Sequence, residues 1–296
     1  MKRALFIVAA MVITLVFTAG AWAEEPLANR LDRLESTVAT LKSQIDSFQS
    51  SNSSLQNQVN SLNTKVLHLQ TQVASYQAKM QYLSVDTNMI NGLKGPHVIF
   101  RGANVHIQSG SGRTDDNSAP RGLGNLVIGY NESVSANRLR GGSHNLVIGP
   151  DHSYPAWGGF VAGITNQVSG ANPTVSGGEG NIAGGLCTSV SGGLKNNASN
   201  RHTTVSGGCN NAASGVESSV SGGVRNRAVG QNSSVSGGAG NTASGPQSSV
   251  SGGEGNNASG IGSSVSGGRT NTASGKHSSI LGGSGNTAAA SYKTVP

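Results

Sequence analysis

The chain has 296 residues, of which 44 are glycine, only 4% are aromatic and 11% are charged. A charged share so far below the usual quarter, with so few aromatics, excludes an ordinary globular enzyme. The formal net charge of +7 is scattered, with no basic run and no interleaved aromatics. Nucleic-acid binding is therefore not expected, and a mild pull toward anionic surfaces is all the charge implies.

Residues 1–23 read as a secretory signal peptide. Lys2 and Arg3 form the charged start, Ala4 to Gly20 the apolar run, and Ala21-Trp22-Ala23 a small-x-small cleavage site before Glu24. The alternative is an uncleaved anchor, since the apolar run falls just short of a membrane span. Either way the expected location is outside the cytoplasm: extracellular, at the cell surface or periplasmic.

From residue 24 to 84 the pattern is that of a coiled-coil stalk. One apolar column is Leu31, Val38, Ile45, Asn52, Val59, Val66, Val73 and Met80. The other is Leu34, Leu41, Phe48, Leu55, Leu62, Leu69, Tyr76 and Leu83. Spacings alternate three and four without Pro or Gly, which predicts a helical rod of roughly 85 Å. Val or Ile in the first column with Leu in the second favours two strands. Against that, Arg30-Leu31-Asp32-Arg33-Leu34-Glu35 resembles the R-h-x-x-h-E motif of parallel trimeric coiled coils. Arg30 and Glu35 would then pair between helices while Leu31 and Leu34 enter the seam. The reading taken is three chains. Asn52, the one polar residue of its column, pins register at some cost in stability.

Residues 85–125 read as a neck with capping strands. Gly92 and Gly95-Pro96 are expected to end the helix, and His97–Phe100 and Asn104–Ile107 to form two short strands. Ser109 to Arg121, with Asp115-Asp116-Asn117, reads as a solvated polar loop rather than a cation site, because its oxygen ligands have no recognised spacing.

Residues 126–290 carry the main signal, with 291–296 left as a tail. Val175, Val190, Val205, Val220, Val235, Val250, Val265 and Ile280 recur every fifteen residues, and each opens V-S-G-G or I-L-G-G. An asparagine follows six residues later, from Asn181 to Asn286, and an alanine two further on, from Ala183 to Ala288. So short and strict a period predicts a stacked β-solenoid rather than a disordered Gly/Ser linker, which keeps no fixed columns. Alternation places Val220 inward and Ser219 and Ser221 outward. The asparagines are expected to stack through their amides onto the coils above and below, with variable residues at two corners. Asn125–Gly129 and Asn145–Gly149 repeat one strand twenty residues apart, and Phe160 is expected in phase with the valine column. One valine and one alanine per coil make a thin core, which points to several chains packed side by side. Cys187 and Cys209 fall at different corners and levels, too far apart for an intrachain bridge.

The fold class expected is thus an N-terminal coiled coil followed by an all-β solenoid of 15-residue coils, assembled as a homotrimer. No G-x-S-x-G, H-E-x-x-H or P-loop is present, so no enzyme, cofactor, metal or small-molecule substrate is expected. Tyr154, Trp157 and Phe160 cluster in a chain almost empty of aromatics. They read as packing between chains or as a binding platform for sugar or protein. The serine columns through Ser219, Ser234 and Ser249, and through Ser221, form a regular hydroxyl lattice suited to an ordered surface such as ice or a crystalline polysaccharide.

The signal peptide, heptad stalk, neck and repeat S-S-V-S-G-G-x-x-N-x-A-S-G together resemble the trimeric autotransporter adhesins with YadA-like heads. That resemblance implies a left-handed parallel β-roll packed in threes. It also implies a role in attachment to host or matrix proteins, glycans or cells. The chain differs in its period, fifteen against about fourteen, and in placing stalk before head. It also ends at Pro296 without a pore-forming segment. The expectation is accordingly an adhesin-like fibre, secreted, periplasmic or tethered by its N-terminus.

Overall fold

The computed structural model describes residues 26–134 and 137–296; the expected signal peptide, residues 1–23, lies outside them. Among the described residues no helix is long and apolar enough to cross a membrane. The chain divides after Asn104 into two units.

Among the described residues of the first unit, one helix comes first, α1 (Leu27–Met80), of 54 residues. No glycine or proline interrupts it, and hydroxyls such as Thr37, Ser53 and Thr71 bond back to the carbonyl four residues earlier. At 1.5 Å per residue its length is about 80 Å. None of its residues is buried, so its apolar columns find no partner among the described residues. The helix ends before Leu83, the last position of the expected heptad column, and Gly92 and Gly95-Pro96 do not end it. Leu83 instead begins β1 (Leu83–Asp86), which pairs antiparallel with β2 (His97–Phe100). The alternation of Leu83 and Val85 suits a strand, and ladder pairing there replaces a further helical turn. Asn104–Ile107, expected as a second short strand, joins no ladder.

The second unit is a β-solenoid of about ten turns. It begins with β3 (Leu126–Ile128), β4 (Leu146–Ile148) and β5 (Phe160–Ala162), which stack in parallel. The stack continues through Thr174–Val175, Ser189–Val190 and their repeats to Thr294–Val295 as a 12-stranded parallel sheet. The opposite side of each coil, such as Arg227–Ala228, builds a 9-stranded parallel sheet. Val105 onward falls in the second unit, and Thr294–Val295 forms the last strand, on Ser279–Ile280.

Phe160 is not in the valine column. Val161 stacks on Val147 and Val175, and it is Val161 that is fully buried. The registers Val147–Val161–Val175 make these two coils fourteen residues long, with fifteen from Val175 onward. The expected phase held for Asn166 and Val168, which lie fifteen before Asn181 and Ala183, but the missing residue falls between Val161 and those positions.

One coil, Ser218 to Asn232, shows the construction. Val220 and Ala228 point inward and are fully buried, as are Asn226 and, one step before the strand, Ser218. Ser219 N–H donates to Ser233 O at 3.0 Å, and Arg227 N–H to Asn241 O at 2.8 Å, both on the next coil. Arg225 and Asn232 have φ of 55° and 56°. At these two left-handed residues the peptide turns over, and their N–H groups donate backward, to Cys209 O and Val216 O at 2.9 Å. Gly223, at φ +85°, is the third left-handed position; a Cβ there would stand 2.2 Å from Gly238 O, so only glycine fits.

Asn226 locks the corner. Its backbone N–H donates to Asn211 Oδ1 at 2.9 Å. Its own Oδ1 accepts from Asn241 N–H at 2.9 Å, and Nδ2 donates to Gly222 O at 2.8 Å and Gly238 O at 2.9 Å. As expected from the column, the amides join each coil to those above and below, and their partners there are backbone groups. The core of a coil is thin, as anticipated, but the buried asparagine column binds successive coils by hydrogen bonds, while the buried Ser/Thr column bonds locally, as Thr188 and Thr203 do to carbonyls three residues earlier.

Candidate binding surface

Outside this frame, three surfaces hold the residues singled out from the sequence. The first is the face of the 12-stranded sheet. Ser219, Ser234 and Ser249 lie in register on successive strands and are half-buried, while Ser221 is exposed. With coils about 4.8 Å apart, the hydroxyls form two parallel rows; Ser264 Oγ lies 3.1 Å from Ser279 Oγ. The rows are bounded. At the N-terminal end the same outward columns hold Leu126, Leu146 and Phe160, and Ile128, Ile148 and Ala162. Of these, Leu126 and Ile128 are about half exposed. At the other end Leu281 replaces serine and is 58% exposed. The face thus passes from apolar to hydroxyl, and one of its two rows ends on an apolar residue while the other continues through Ser279 to Thr294.

The aromatic cluster does not form a platform. Tyr154 is buried in the core, its backbone tied to Leu139 O and Gly142 N–H. Trp157 is half-buried beside Gly112, Arg113, Thr114 and Asp115, and Phe160 lies on the sheet face described above. The three side chains point to three different environments.

The N-terminal loops are built on buried polar groups. Asp151 pairs with Arg138 at 2.7 Å and accepts from Ser133 Oγ at 3.2 Å; the guanidinium holds its carboxyl at about 2. Asp116, expected in a solvated loop, is buried. It accepts from the Ser109 hydroxyl and from Arg121 N–H, and the hydroxyls of Ser109, Ser111 and Ser143 keep it well below the usual carboxylate range. A groove of about 630 Å³ runs along Val105–Gly110 and Gly112–Thr114 beside His144. Its one cation, Arg113, is held by Asp115 at 2.9 Å. Among the described residues no group of three or more His, Cys, Asp or Glu could hold a metal ion.

His152 was passed over in the sequence because it matches no column by type. It stands in the asparagine ladder, fourteen residues before Asn166. Its N–H donates to Asn131 Oδ1 at 2.8 Å, Nε2 contacts Ile148 O at 2.9 Å, and Nδ1 accepts from Asn166 N–H at 3.2 Å. Burial pushes its imidazole below the ordinary value, in keeping with a neutral ring that both donates and accepts.

On α1, Arg30, Leu31 and Leu34 line a shallow groove with Leu27 and Ala28, and Glu35 is exposed. Fourteen apolar residues of the two heptad columns, from Leu31 to Met80, are between 40% and 62% exposed. Cys187 and Cys209 are free.

No protein-family model and no curated protein matches the chain.

Proposed function

We propose that this is an exported, non-catalytic attachment protein, in which α1 joins parallel copies into a three-stranded coiled coil and the solenoid displays the contact residues. The observation that carries the reading is the division within every coil. Val, Ala, Asn and Ser or Thr are buried and repeat unchanged, while the residues that differ from coil to coil, such as Val224-Arg225 and Gln231-Asn232, sit exposed at the corners. Such a frame holds its shape whatever the corners carry, which suits recognition better than reaction chemistry.

Two apolar surfaces support assembly of copies. One is the exposed heptad seam; the other is the patch of Leu126, Ile128, Leu146 and Phe160 on the sheet face. Monomers rarely leave such surfaces uncovered, and parallel copies cover both. The order of helix then solenoid and the repeat itself resemble the trimeric adhesins, and the fourteen-residue coils at Val147–Val175 bring the first turns nearer to their period. The partners on this reading are the chain itself and a host or matrix protein, glycan or cell surface. Residues 1–23 would direct export.

A second reading draws on the register of the serine rows. Ordered hydroxyls from Thr174 to Ser279 match a periodic surface such as ice or a crystalline polysaccharide.

Attachment of the full chain to immobilised matrix proteins and to cells tests the first reading, with Leu41→Asp and Leu55→Asp introduced to open the seam. Joining three heads multiplies weak contacts, so loss of assembly should weaken attachment by about 100-fold or more. Attachment that is absent, or equal for both proteins, contradicts it. Ser219→Tyr, Ser234→Tyr and Ser249→Tyr together should leave attachment intact; abolished ice recrystallisation inhibition or polysaccharide binding would favour the second reading.

A further inference from the structure

We propose that His277 and Tyr292, at the C-terminal end of the solenoid, form a platform for a sugar ring bearing an acidic group. The inference rests on the attachment reading and assigns it a site and a ligand class.

The two residues occupy the same left-handed corner position on adjacent coils, at φ 53° and 59°. A corner side chain there projects away from the coil, and those of neighbouring coils lie side by side. His277 and Tyr292 use this to stack, with ring centroids 5.3 Å apart and planes inclined by 27°. The coil below has glycine at this position. A Cβ on Gly262 would stand 2.5 Å from His277 Nδ1, so the imidazole lies back over Gly262 and needs it bare. Among the other coils this corner carries Cys187, His202, Glu217, Asn232 and Gln247; Gly, His and Tyr come in succession only here.

Tyr292 is 71% exposed. With one face of its ring turned to His277, it has aromatic surface left for a ligand. The electron-rich face of a phenol ring attracts the polarised C–H groups on one side of a pyranose. Charge narrows the class. Residues 255–296 contain Arg269, Lys276 and Lys293 and no Asp or Glu. Arg269 reaches back to Glu254 at 3.6 Å, which leaves Lys276 and Lys293, the immediate neighbours of the two rings in sequence, both exposed. Lys293 stands where every coil from Thr188 to Ser278 has a buried Ser or Thr, and its Nζ reaches Thr287 O at 3.4 Å. An exposed stacked aromatic pair with Lys276 exposed next to it in the chain, in a segment without acidic residues, fits a sugar carrying a carboxylate or a sulfate.

The test is binding of the full chain to immobilised dextran sulfate, to polygalacturonate and to neutral dextran, which separates sulfate from carboxylate and either from sugar alone. Binding is expected to one or both acidic polymers, falling with added salt, and not to dextran. Tyr292→Asn installs the residue that Asn232 already is at this corner, so it keeps the backbone and removes the ring. It should weaken binding about tenfold, the scale of one aromatic contact, and Lys276→Gln should flatten the salt dependence. Equal binding by Tyr292→Asn, or dextran bound as well as the acidic polymers, overturns the site. So does attachment to matrix or cells without any affinity for acidic polysaccharide, which leaves the attachment reading standing. A chain that attaches to nothing removes both.

Discussion

Replacing Asn226 with alanine should destabilise the solenoid far more than the same change at Asn286. The Asn226 side chain satisfies three groups: Asn241 N–H, Gly222 O and Gly238 O. Gly238 O keeps a second donor, Val224 N–H at 3.0 Å. Truncation therefore orphans Asn241 N–H, which belongs to a fully buried residue, and Gly222 O at the half-buried corner. An orphaned buried group costs about 1–3 kcal/mol. The buried donor with a partly hydrated carbonyl should together cost about 3 kcal/mol. The Asn286 side chain donates only to Gly282 O, at 2.9 Å, so its truncation should cost about 1 kcal/mol or less. Urea unfolding of both variants, followed by circular dichroism, should show a midpoint shift of about 1 M for Asn226→Ala and little for Asn286→Ala, with m near 3 kcal/mol/M. Amide hydrogen exchange should show Asn241 N–H losing protection. Asn226→Asp should do no better, since a carboxylate can accept from Asn241 but cannot donate to two carbonyls. Equal shifts for Asn226→Ala and Asn286→Ala, or an Asn226→Ala shift worth under about 1 kcal/mol, would refute the claim that the ladder holds the coils together.

Gly223→Ala should unfold its coil, because the new Cβ would stand 2.2 Å from Gly238 O at φ +85°; Gly222→Ala, with nothing within 4 Å, should leave the thermal midpoint of the single chain nearly unchanged. Ser248→Thr should be neutral or stabilising, since Thr188 and Thr203 fill the same column fully buried and donate to Gly185 O and Asn200 O; a lowered midpoint would show the column to be narrower there. Asp151, held at about 2 against an ordinary value near 3.9, contributes stability that is complete above the ordinary value and lost as pH falls through about 2. Asp116 acts in the same direction. Acid titration of Trp157 fluorescence should therefore show the N-terminal coils loosening below about pH 4, and Asp151→Asn should flatten that dependence.

Most of the solenoid was legible because a stacked coil repeats the same residue wherever it points inward. Val220, Asn226 and Ala228 announce themselves through their columns at fifteen. Ser218 did not, since a serine suits a solvated strand edge as well as a buried hydrogen bond, and only the coordinates separate it from Ser219. His152 was hidden for a related reason: the ladder selects a donor and an acceptor four residues beyond a carbonyl, and imidazole meets that need with a different letter. Phe160 misled because the valine column drops one residue there while the asparagine column does not, so the two phases disagree within a single turn. Leu83 continued the heptad count by chance; its alternation with Val85 and its pairing with Phe100 decided for strand. The aromatic cluster at Tyr154 drew attention by density along the chain. The pair that does stack, His277 and Tyr292, was visible only through the period, being fifteen residues apart.

The account depends most on the proposed assembly of copies through the exposed seam of α1. Sedimentation equilibrium of the full chain measures them directly. A mass close to three times that of the 29.8 kDa chain, collapsing to one chain on Leu41→Asp with Leu55→Asp, is the expected result. A single-chain mass for the unaltered protein across the micromolar range would contradict it.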